Sequence, residues 1–207
     1  LTKAIDLDSN HSATYFFRGL ARRKLGRASE ALIDFTQAGK LGFKPEIYVR
    51  QQLTDSYFDL GELDKSFSLY KEIAFSDSSD IRVFIRPMAI AINHLNKPAE
   101  ALDLARKAAV EHPDAAMAEN LLGWAAFAGG DYGAAKDHLN IALKKDPELS
   151  AAYLNLGMVL EKEGTVSAAL TNYEKAKLFA EDIGDKEIGV TADLRYNGLK
   201  DAVDSGM

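Results

Sequence analysis

Four histidines and a large set of acidic residues are the side chains of this sequence that could hold a metal ion or transfer protons. The histidines are His11, His94, His112 and His138. No two of them lie four residues apart, the spacing that would place both on one helix face, and no carboxylate pair completes a ligand set with them. Glu111 and Asp137 each precede a histidine directly, and adjacent residues point in different directions on a helix. The sequence therefore predicts no metal site.

Motifs for covalent or phosphate chemistry are also missing from the sequence. It contains no nucleophile elbow, no phosphate-binding glycine loop and no dinucleotide fingerprint. The Gly129–Gly130 pair is interpreted as a turn between helices, and the acidic residues are spread as expected of a solvated surface. Without cysteine there is no disulfide and no thiolate ligand. We expect no enzyme activity and no cofactor.

Charge and hydropathy narrow the possible partners. The 207 residues carry a net charge of −6, whereas binding to nucleic acid requires a basic face. No apolar run approaches the roughly 18 residues of a membrane span. We expect no nucleic acid partner, no membrane insertion and a soluble protein, with the cytoplasm weakly favoured. Because the chain begins at Leu1 with neither a start methionine nor a signal peptide, we expect a piece of a longer chain or a processed form.

A repeat of 34 or 35 residues organises the whole chain. One column of small residues comprises Gly19, Thr54, Ala89, Gly123, Gly157 and Thr191. Only a small side chain fits where two helices cross closely, so this period is typical of stacked helical hairpins. Seven residues after each member comes a residue suited to a left-handed turn: Gly26, Gly61, Asn96, Gly130, Gly164 and, more weakly, Gly198.

Further columns have the spacing of two amphipathic helices in each unit. Bulky residues recur at Leu1, Phe35, Tyr70, Ala105, Leu139 and Tyr173. Two columns of mostly small residues flank them, Ala31, Ser66, Ala101, Ala135 and Ala169, and Ala4, Ala38, Ile73, Ala108, Ala142 and Ala176. In the last complete unit Tyr153, Leu156, Gly157 and Leu160 form one helical stripe. Such helices bury their apolar faces only when the units stack.

This pattern resembles the tetratricopeptide repeat. The family's sequence motif is matched here by Tyr153, Leu156, Gly157, Leu160, Ala169, Tyr173 and Ala176. The resemblance implies an all-α fold, a right-handed superhelical solenoid of antiparallel helix pairs. It divides the chain into complete repeats at 12–45, 47–80, 82–115, 116–149 and 150–183. Residues 1–10 are then a partial repeat, and residues 184–207 are a capping helix or a degenerate half-repeat.

Some residues depart from the family pattern. Arg18, Arg22 and Arg50 fall at core columns, where we expect their stems to lie along the core and their charged ends to stay in water. Pro87 falls inside the first helix of the third repeat. It should kink that helix or move its start toward Arg86. A local bend without function and a change in the curvature of the array both remain open.

The resemblance also implies where a partner would bind. In such arrays the first helix of each repeat forms the concave wall, through the positions that do not pack against other helices of the stack. The residues predicted there are Phe16, Leu20, Tyr48, Gln51, Phe58, Arg86, Asn93, Met117, Asn120, Trp124, Phe127, Leu154 and Met158. Large aromatic residues and methionines on an exposed face are typical of a binding site. Alternatively, these aromatics pack on one another, or the protein's own segments fill the groove.

The leading hypothesis is a non-enzymatic scaffold that binds a partner peptide or amphipathic segment in a largely apolar groove. The lysine, asparagine and arginine clamp that some family members use for a terminal carboxylate is absent, since Phe16, Leu20, Gln52, Val83 and Pro87 occupy its places. Two alternatives stay open. One is self-assembly through an exposed apolar face of the N-terminal helix, with Leu1 and Ile5. The other is a regulatory module of a larger protein.

Overall fold

The computed structural model describes residues 1, 3, 5 and 8–205, and this part of the chain is helical without a β-strand. The predicted all-α class is confirmed. The predicted partial repeat at 1–10 includes residues 2, 4, 6 and 7, which lie outside the described residues, as do the last two residues of the predicted C-terminal cap. Ala4, a member of one small-residue column, is among them.

The chain divides into two compact units, Leu1–Asn96 and Lys97–Met207. Unit 1 contains α1 (Ser12–Lys24), α2 (Ala28–Lys40), α3 (Glu46–Asp59), α4 (Leu63–Ser76), a 3-10 helix (Ile81–Phe84) and α5 (Ile85–Asn93). Unit 2 contains α6 (Pro98–Glu111), α7 (Ala116–Ala128), α8 (Tyr132–Lys145), α9 (Ser150–Lys162), α10 (Val166–Ile183) and α11 (Lys186–Asp204). Within each unit consecutive helices pack as hairpins. Alternate helices also touch, α1 with α3 in unit 1 and α7 with α9 in unit 2.

The small-residue column lies where the two helices of a hairpin cross. A Cβ added to Gly19 would lie 2.7 Å from Cε1 of Phe35, and one added to Gly123 would lie 2.6 Å from Cγ of Leu139. At Gly157 the corresponding distance to Cε1 of Tyr173 is 2.5 Å. Phe35, Leu139 and Tyr173 belong to the bulky column and are fully buried. Each bulky side chain therefore fills the space that the missing side chain leaves.

The turns follow the predicted column up to the fifth repeat and then depart from it. Gly164 has a φ of +77° and Asn96 a φ of +50°, both in the left-handed region that ends a helix. The prediction of a turn at Gly198 is wrong, because this residue lies inside α11. The last turn is instead at Gly184, with a φ of +73°, so residues 186–204 form one continuous helix.

Pro87 shortens the helix that contains it. The 3-10 helix Ile81–Phe84 precedes it, and α5 begins at Ile85 and has only nine residues. Pro87 therefore lies in the first turn of α5, where its missing N–H breaks no intrahelical hydrogen bond. The predicted shift of the helix start toward Arg86 is confirmed.

A buried ion pair replaces part of the apolar core in unit 1. Arg18 donates from Nε and Nη2 to both carboxylate oxygens of Asp34, at 2.9 and 2.7 Å, and Arg22 donates from Nη1 at 2.6 Å. The Asp34 side chain is only 1% exposed, and those of Arg18 and Arg22 are 17% and 22% exposed. The two guanidinium groups are therefore engaged by a buried carboxylate, while their side chains remain partly exposed. They join α1 to α2 through one shared carboxylate.

Membrane insertion has no candidate helix in this fold. Among residues 1, 3, 5 and 8–205, no helix combines the length and the apolar character that a membrane span needs.

We expect Asp34→Asn to lower the free energy of unfolding by about 3 kcal/mol, because it removes the buried carboxylate that Arg18 and Arg22 share and leaves Arg22 with the more exposed Glu30 at 3.3 Å. Chemical denaturation followed by circular dichroism would measure the change. Glu46→Gln is the control, since its pair with Lys44 is exposed and long, at 3.8 Å, and it should change stability by less than about 0.5 kcal/mol. Equal stability of the two variants would contradict the assignment.

We expect Gly157→Val to destabilise the protein by about 1–3 kcal/mol, because the new side chain would collide with the buried ring of Tyr173. Gly198→Val introduces the same side chain at an exposed helical position with no atom within 4 Å of the new Cβ. This control should be neutral or slightly stabilising, since glycine is the poorer helix former. Denaturation midpoints compare the two, and a Gly157→Val variant as stable as wild type would refute the close crossing.

Candidate functional site

The structure places the thirteen predicted partner-binding residues at very different depths. Three of them are buried: Phe16, Asn120 and Leu154. Two are exposed, Tyr48 and Asn93. The others are half-buried: Leu20, Gln51, Phe58, Arg86, Met117, Trp124, Phe127 and Met158. We call the faces that carry them the first-helix faces, formed in unit 1 by α1, α3 and α5 and in unit 2 by α7 and α9. The predicted set is thus a mixture of core and surface residues.

Two predicted anchors are core residues instead. The ring of Phe16 stacks on Phe43 with centroids 4.1 Å apart and meets Phe35 edge-on at 5.6 Å. Leu154 packs in a cluster with Tyr173 and Ala192 of the following helices. For these two residues the alternative prediction, that apolar residues of the first helices pack together, describes the structure better. Neither offers its side chain to a partner.

Asn120 holds α7 against α9. Its Oδ1 accepts a hydrogen bond of 2.9 Å from Nδ2 of Asn155, and its own Nδ2 donates to Sδ of Met117 at 3.4 Å. Both asparagines are buried. Asn120 is one of the predicted partner-binding residues, but both ends of its amide are already engaged within the protein. Asn155 was not among the predicted residues, although it lies 35 residues after Asn120, about one repeat length away.

An apolar wall remains on the first-helix face of unit 2, formed by Met117, Trp124, Phe127 and Met158. Trp124 and Met158 are 34 residues apart and therefore occupy equivalent places on α7 and α9. Phe127 packs on the core cluster around Leu139, with its ring centroid 5.8 Å from that of Tyr132. Trp124 is half-buried and thus keeps part of its indole accessible. It is the best-placed anchor of this wall.

A carboxylate on the same face of α9 is held from two sides. Glu161 accepts a hydrogen bond from the Tyr173 hydroxyl and lies 3.6 Å from Nη1 of Arg195 on α11. Burial raises the pKa of Tyr173, and the neighbouring Glu161 raises it further, while Arg195 opposes the rise. The tyrosine therefore stays protonated and donates to Glu161. This arrangement fixes the carboxylate beside the apolar wall.

Unit 1 repeats this arrangement with different residues. Arg23 on α1 pairs at 2.7 Å with both Asp55 and Asp59 of α3, and the Tyr70 hydroxyl donates to Asp55. Burial and the Asp55 carboxylate raise the pKa of Tyr70, whereas the charge of Arg86 opposes the rise. Near this network lies an open depression of about 320 Å³ lined by Leu20, Arg23, Lys24, Gln52 and Asp59. The face is polar, in contrast to that of unit 2.

Phe58 brings two further groups together on the first-helix face of unit 1. Cζ of Arg86 lies 4.8 Å from the centroid of the Phe58 ring, a cation–π contact, and His94 meets the same ring edge-on at 5.4 Å. Tyr48 is 52% exposed on α3 and Asn93 is exposed at the end of α5. Phe58 and Arg86, both predicted in unit 1, are therefore in contact.

Metal binding has no support in the described residues. No group of three or more histidine, aspartate or glutamate side chains there could hold a metal ion. Nδ1 of His138 lies 2.9 Å from Oε2 of Glu119, whose other oxygen lies 3.3 Å from Nζ of Lys145. Partial burial alone would raise the pKa of Glu119, but the hydrogen bonds from His138 and Lys145 outweigh it and lower the pKa.

We expect Glu119→Gln to destabilise the protein at neutral pH, and the difference from wild type to shrink in acid. A folded-state pKa below the ordinary value means that the charged carboxylate stabilises the fold above glutamate's ordinary pKa, and that this contribution is lost as the pH falls through the lowered pKa. Urea denaturation at a series of pH values measures the difference. Glu174→Gln, at an exposed position on α10, is the control and should follow wild type throughout. A difference that persists unchanged in acid would contradict this role of Glu119.

A family model describes part of the chain. Residues 94–147 and 121–185 match the tetratricopeptide repeat. The match lies in the region where the helix hairpins show the close crossings at Gly123 and Gly157, and it indicates no catalytic family. The resemblance predicted from the sequence is confirmed. No curated protein sequence matches the chain.

Solved structures with a similar fold extend the likeness beyond that region. MamA residues 41 to the end from Desulfovibrio magneticus RS-1 has a TM-score of 0.60 at 16% identity, covering 83% of this chain and 96% of that one. YrrB, described as a tetratricopeptide repeat protein with an unusual peptide-binding site, has a TM-score of 0.55 at 16% identity, covering 93% and 96%. Yeast Tom70 has a TM-score of 0.59 at 21% identity and covers 98% of this chain, which spans 43% of Tom70. At these identities the likeness concerns the fold alone.

Proposed function

Because residues 94–185 are tetratricopeptide repeats and the fold is of that type, we propose that this protein is a non-enzymatic scaffold that binds a segment of a partner protein on its first-helix faces. The observation that carries the proposal is the apolar wall of unit 2, where Trp124 keeps part of its indole accessible beside Met117 and Met158. YrrB, with a similar fold, is described by its peptide-binding site.

The chemistry of the wall favours an apolar or amphipathic segment. Methionine side chains adapt their shape to a partner, and a half-buried tryptophan supplies a large rigid contact. The polar groups nearby, Asn120 and Glu161, are engaged in contacts that hold neighbouring helices together. These contacts make both groups less available to bond a ligand. In unit 1 we propose Tyr48, Gln51, Phe58, Arg86 and Asn93 as the corresponding binding residues, with Leu20 at their edge.

The repeat boundaries belong to the same proposal. We propose complete repeats at 12–45, 47–80, 82–115, 116–149 and 150–183, followed by α11 as a capping helix over the last one. In support, Ala192 of α11 is buried in one cluster with Leu154 and Tyr173. A partner bound in unit 2 would then meet α7 and α9. Self-assembly through the N-terminal helix and regulation of another domain stay predictions.

Trp124→Ala should weaken partner binding at least about thirtyfold, the loss expected when a central anchor worth about 2 kcal/mol is removed. Peptides selected from a random displayed library on the wild-type protein would supply ligands, and calorimetry would compare their affinities for wild type and variant. Circular dichroism should show unchanged helicity, because Trp124 is outside the buried core.

Phe75→Ala is the matched control for this experiment. Phe75 is an aromatic residue that is 47% exposed on α4, a second helix of its hairpin, and its loss should leave peptide affinity unchanged. An affinity of the Trp124 variant within about twofold of wild type would rule out this wall as the site. Phe127→Ala is less informative, because Phe127 also packs on the core of unit 2 and its loss should lower stability as well as binding.

A further inference from the structure

We propose that Arg86 in unit 1 binds the carboxylate of an aspartate or glutamate side chain in the partner segment. This inference rests on the proposed function and specifies it, since it assigns a ligand chemistry to one residue of the first-helix face of unit 1. The site comprises Arg86 and Phe58, with His94 and Tyr70 beside them. It is separate from the apolar wall of unit 2, whose residues it does not use.

The Phe58 ring holds the guanidinium of Arg86 in place. Cζ lies 4.8 Å from the ring centroid, and His94 packs edge-on against the same ring at 5.4 Å. A guanidinium over an aromatic face keeps its N–H groups at the rim of the ring, where a ligand can reach them. Both Arg86 and Phe58 are half-buried. The group is thus positioned before a ligand binds, which reduces the entropy lost on binding.

Two carboxylates of α3 on this face, those of Asp55 and Asp59, are already engaged by another cation. Arg23 forms ion pairs with Asp59 through Nε and with Asp55 through Nη1, each at 2.7 Å. The Tyr70 hydroxyl also donates a hydrogen bond to Asp55. Within 4 Å, Arg86 makes no ion pair with any residue that the structure describes. Arg86 also makes a side-chain hydrogen bond with the Tyr70 hydroxyl, and this bond and the charge of Arg86 both oppose the rise in the pKa of Tyr70. Arg86 is therefore a positioned cation that lacks a carboxylate of its own.

The geometry of such a group selects its ligand. The planar fork of arginine donates two parallel hydrogen bonds to a carboxylate, which a point charge such as lysine cannot do. A side-chain carboxylate, on a flexible stem, can approach Arg86 while the partner's backbone runs along the face. Aspartate or glutamate is accordingly the ligand we commit to.

The test uses the displayed random peptide library on the full chain, panned in parallel on wild type, Arg86→Gln, Arg86→Glu and Trp124→Ala. Peptides selected on wild type should share an acidic residue at one position. Arg86→Gln should lose that preference, and Arg86→Glu should replace it with lysine or arginine. One peptide selected on the wild-type protein is then synthesised with an amidated C-terminus. In calorimetry it should bind the Arg86→Gln variant about tenfold more weakly than the wild-type protein, as expected for the loss of one charge-assisted interaction.

Two further variants separate a binding role from a structural one. Arg82→Gln removes a cation four residues away that is 80% exposed and paired with Asp80, and it should leave the acidic preference intact. Arg86→Lys keeps the positive charge but loses the planar guanidinium, so the preference for an acidic residue should persist with lower affinity. Circular dichroism and denaturation establish that each variant is folded.

The possible outcomes are distinct. Selected peptides without an acidic position, or an acidic preference that survives in Arg86→Gln, would overturn this inference, and so would a preference for an acidic C-terminus that amidation abolishes. The proposed function would still stand if those peptides bound wild type and lost affinity for Trp124→Ala. Failure to select any peptide on wild type would count against the proposed function and this inference together.

Discussion

The close crossing of paired helices is the constraint on which the rest of the structure depends. At Gly19, Gly123 and Gly157 the missing side chain is what lets the ring or branched chain of the second helix lie against the backbone of the first. This contact fixes the rotation of the first helix about its own axis. Rotation in turn decides which residues face the neighbouring helices and which remain accessible. The partial exposure of Trp124 on α7, the helix that carries Gly123, thus follows from this crossing.

Charge plays a larger structural part than the apolar repeat suggests. In unit 1 the pair of Arg18 and Arg22 with Asp34 joins the two helices of one hairpin, and Arg23 joins α1 to α3. In unit 2 the same kind of link, Glu161 with Arg195, joins α9 to α11. Tyr70 and Tyr173 stabilise the carboxylates of these links by donating from the second helix. The charged groups of these links are paired with one another. Arg86 differs from them because it makes no ion pair with a described residue.

The repeat period predicted the fold well because each column reflects one packing requirement. A glycine at a crossing, a left-handed residue at a turn and a proline near a helix start each have one favourable structural role, so the sequence could be interpreted position by position. The binding residues could be predicted only in part. Helical spacing shows that Phe16 and Trp124 lie on comparable faces, but whether a ring is covered depends on long-range neighbours such as Phe43, which no local pattern identifies. The last turn was misplaced at Gly198 because the period ceases to hold after Gly184.

The links between alternate helices have a consequence for how such a chain can change. Asn120 bonds Asn155, Arg23 bonds Asp55 and Glu161 meets Arg195, and each pair joins one hairpin to the next with different residue types. Although the repeats share a length, they are not interchangeable modules. Removing or duplicating one repeat by recombination would pair an asparagine or an arginine with the wrong residue of its new neighbour. These polar pairs therefore distinguish the helix junctions that carry them, α1 with α3, α7 with α9 and α9 with α11, from one another.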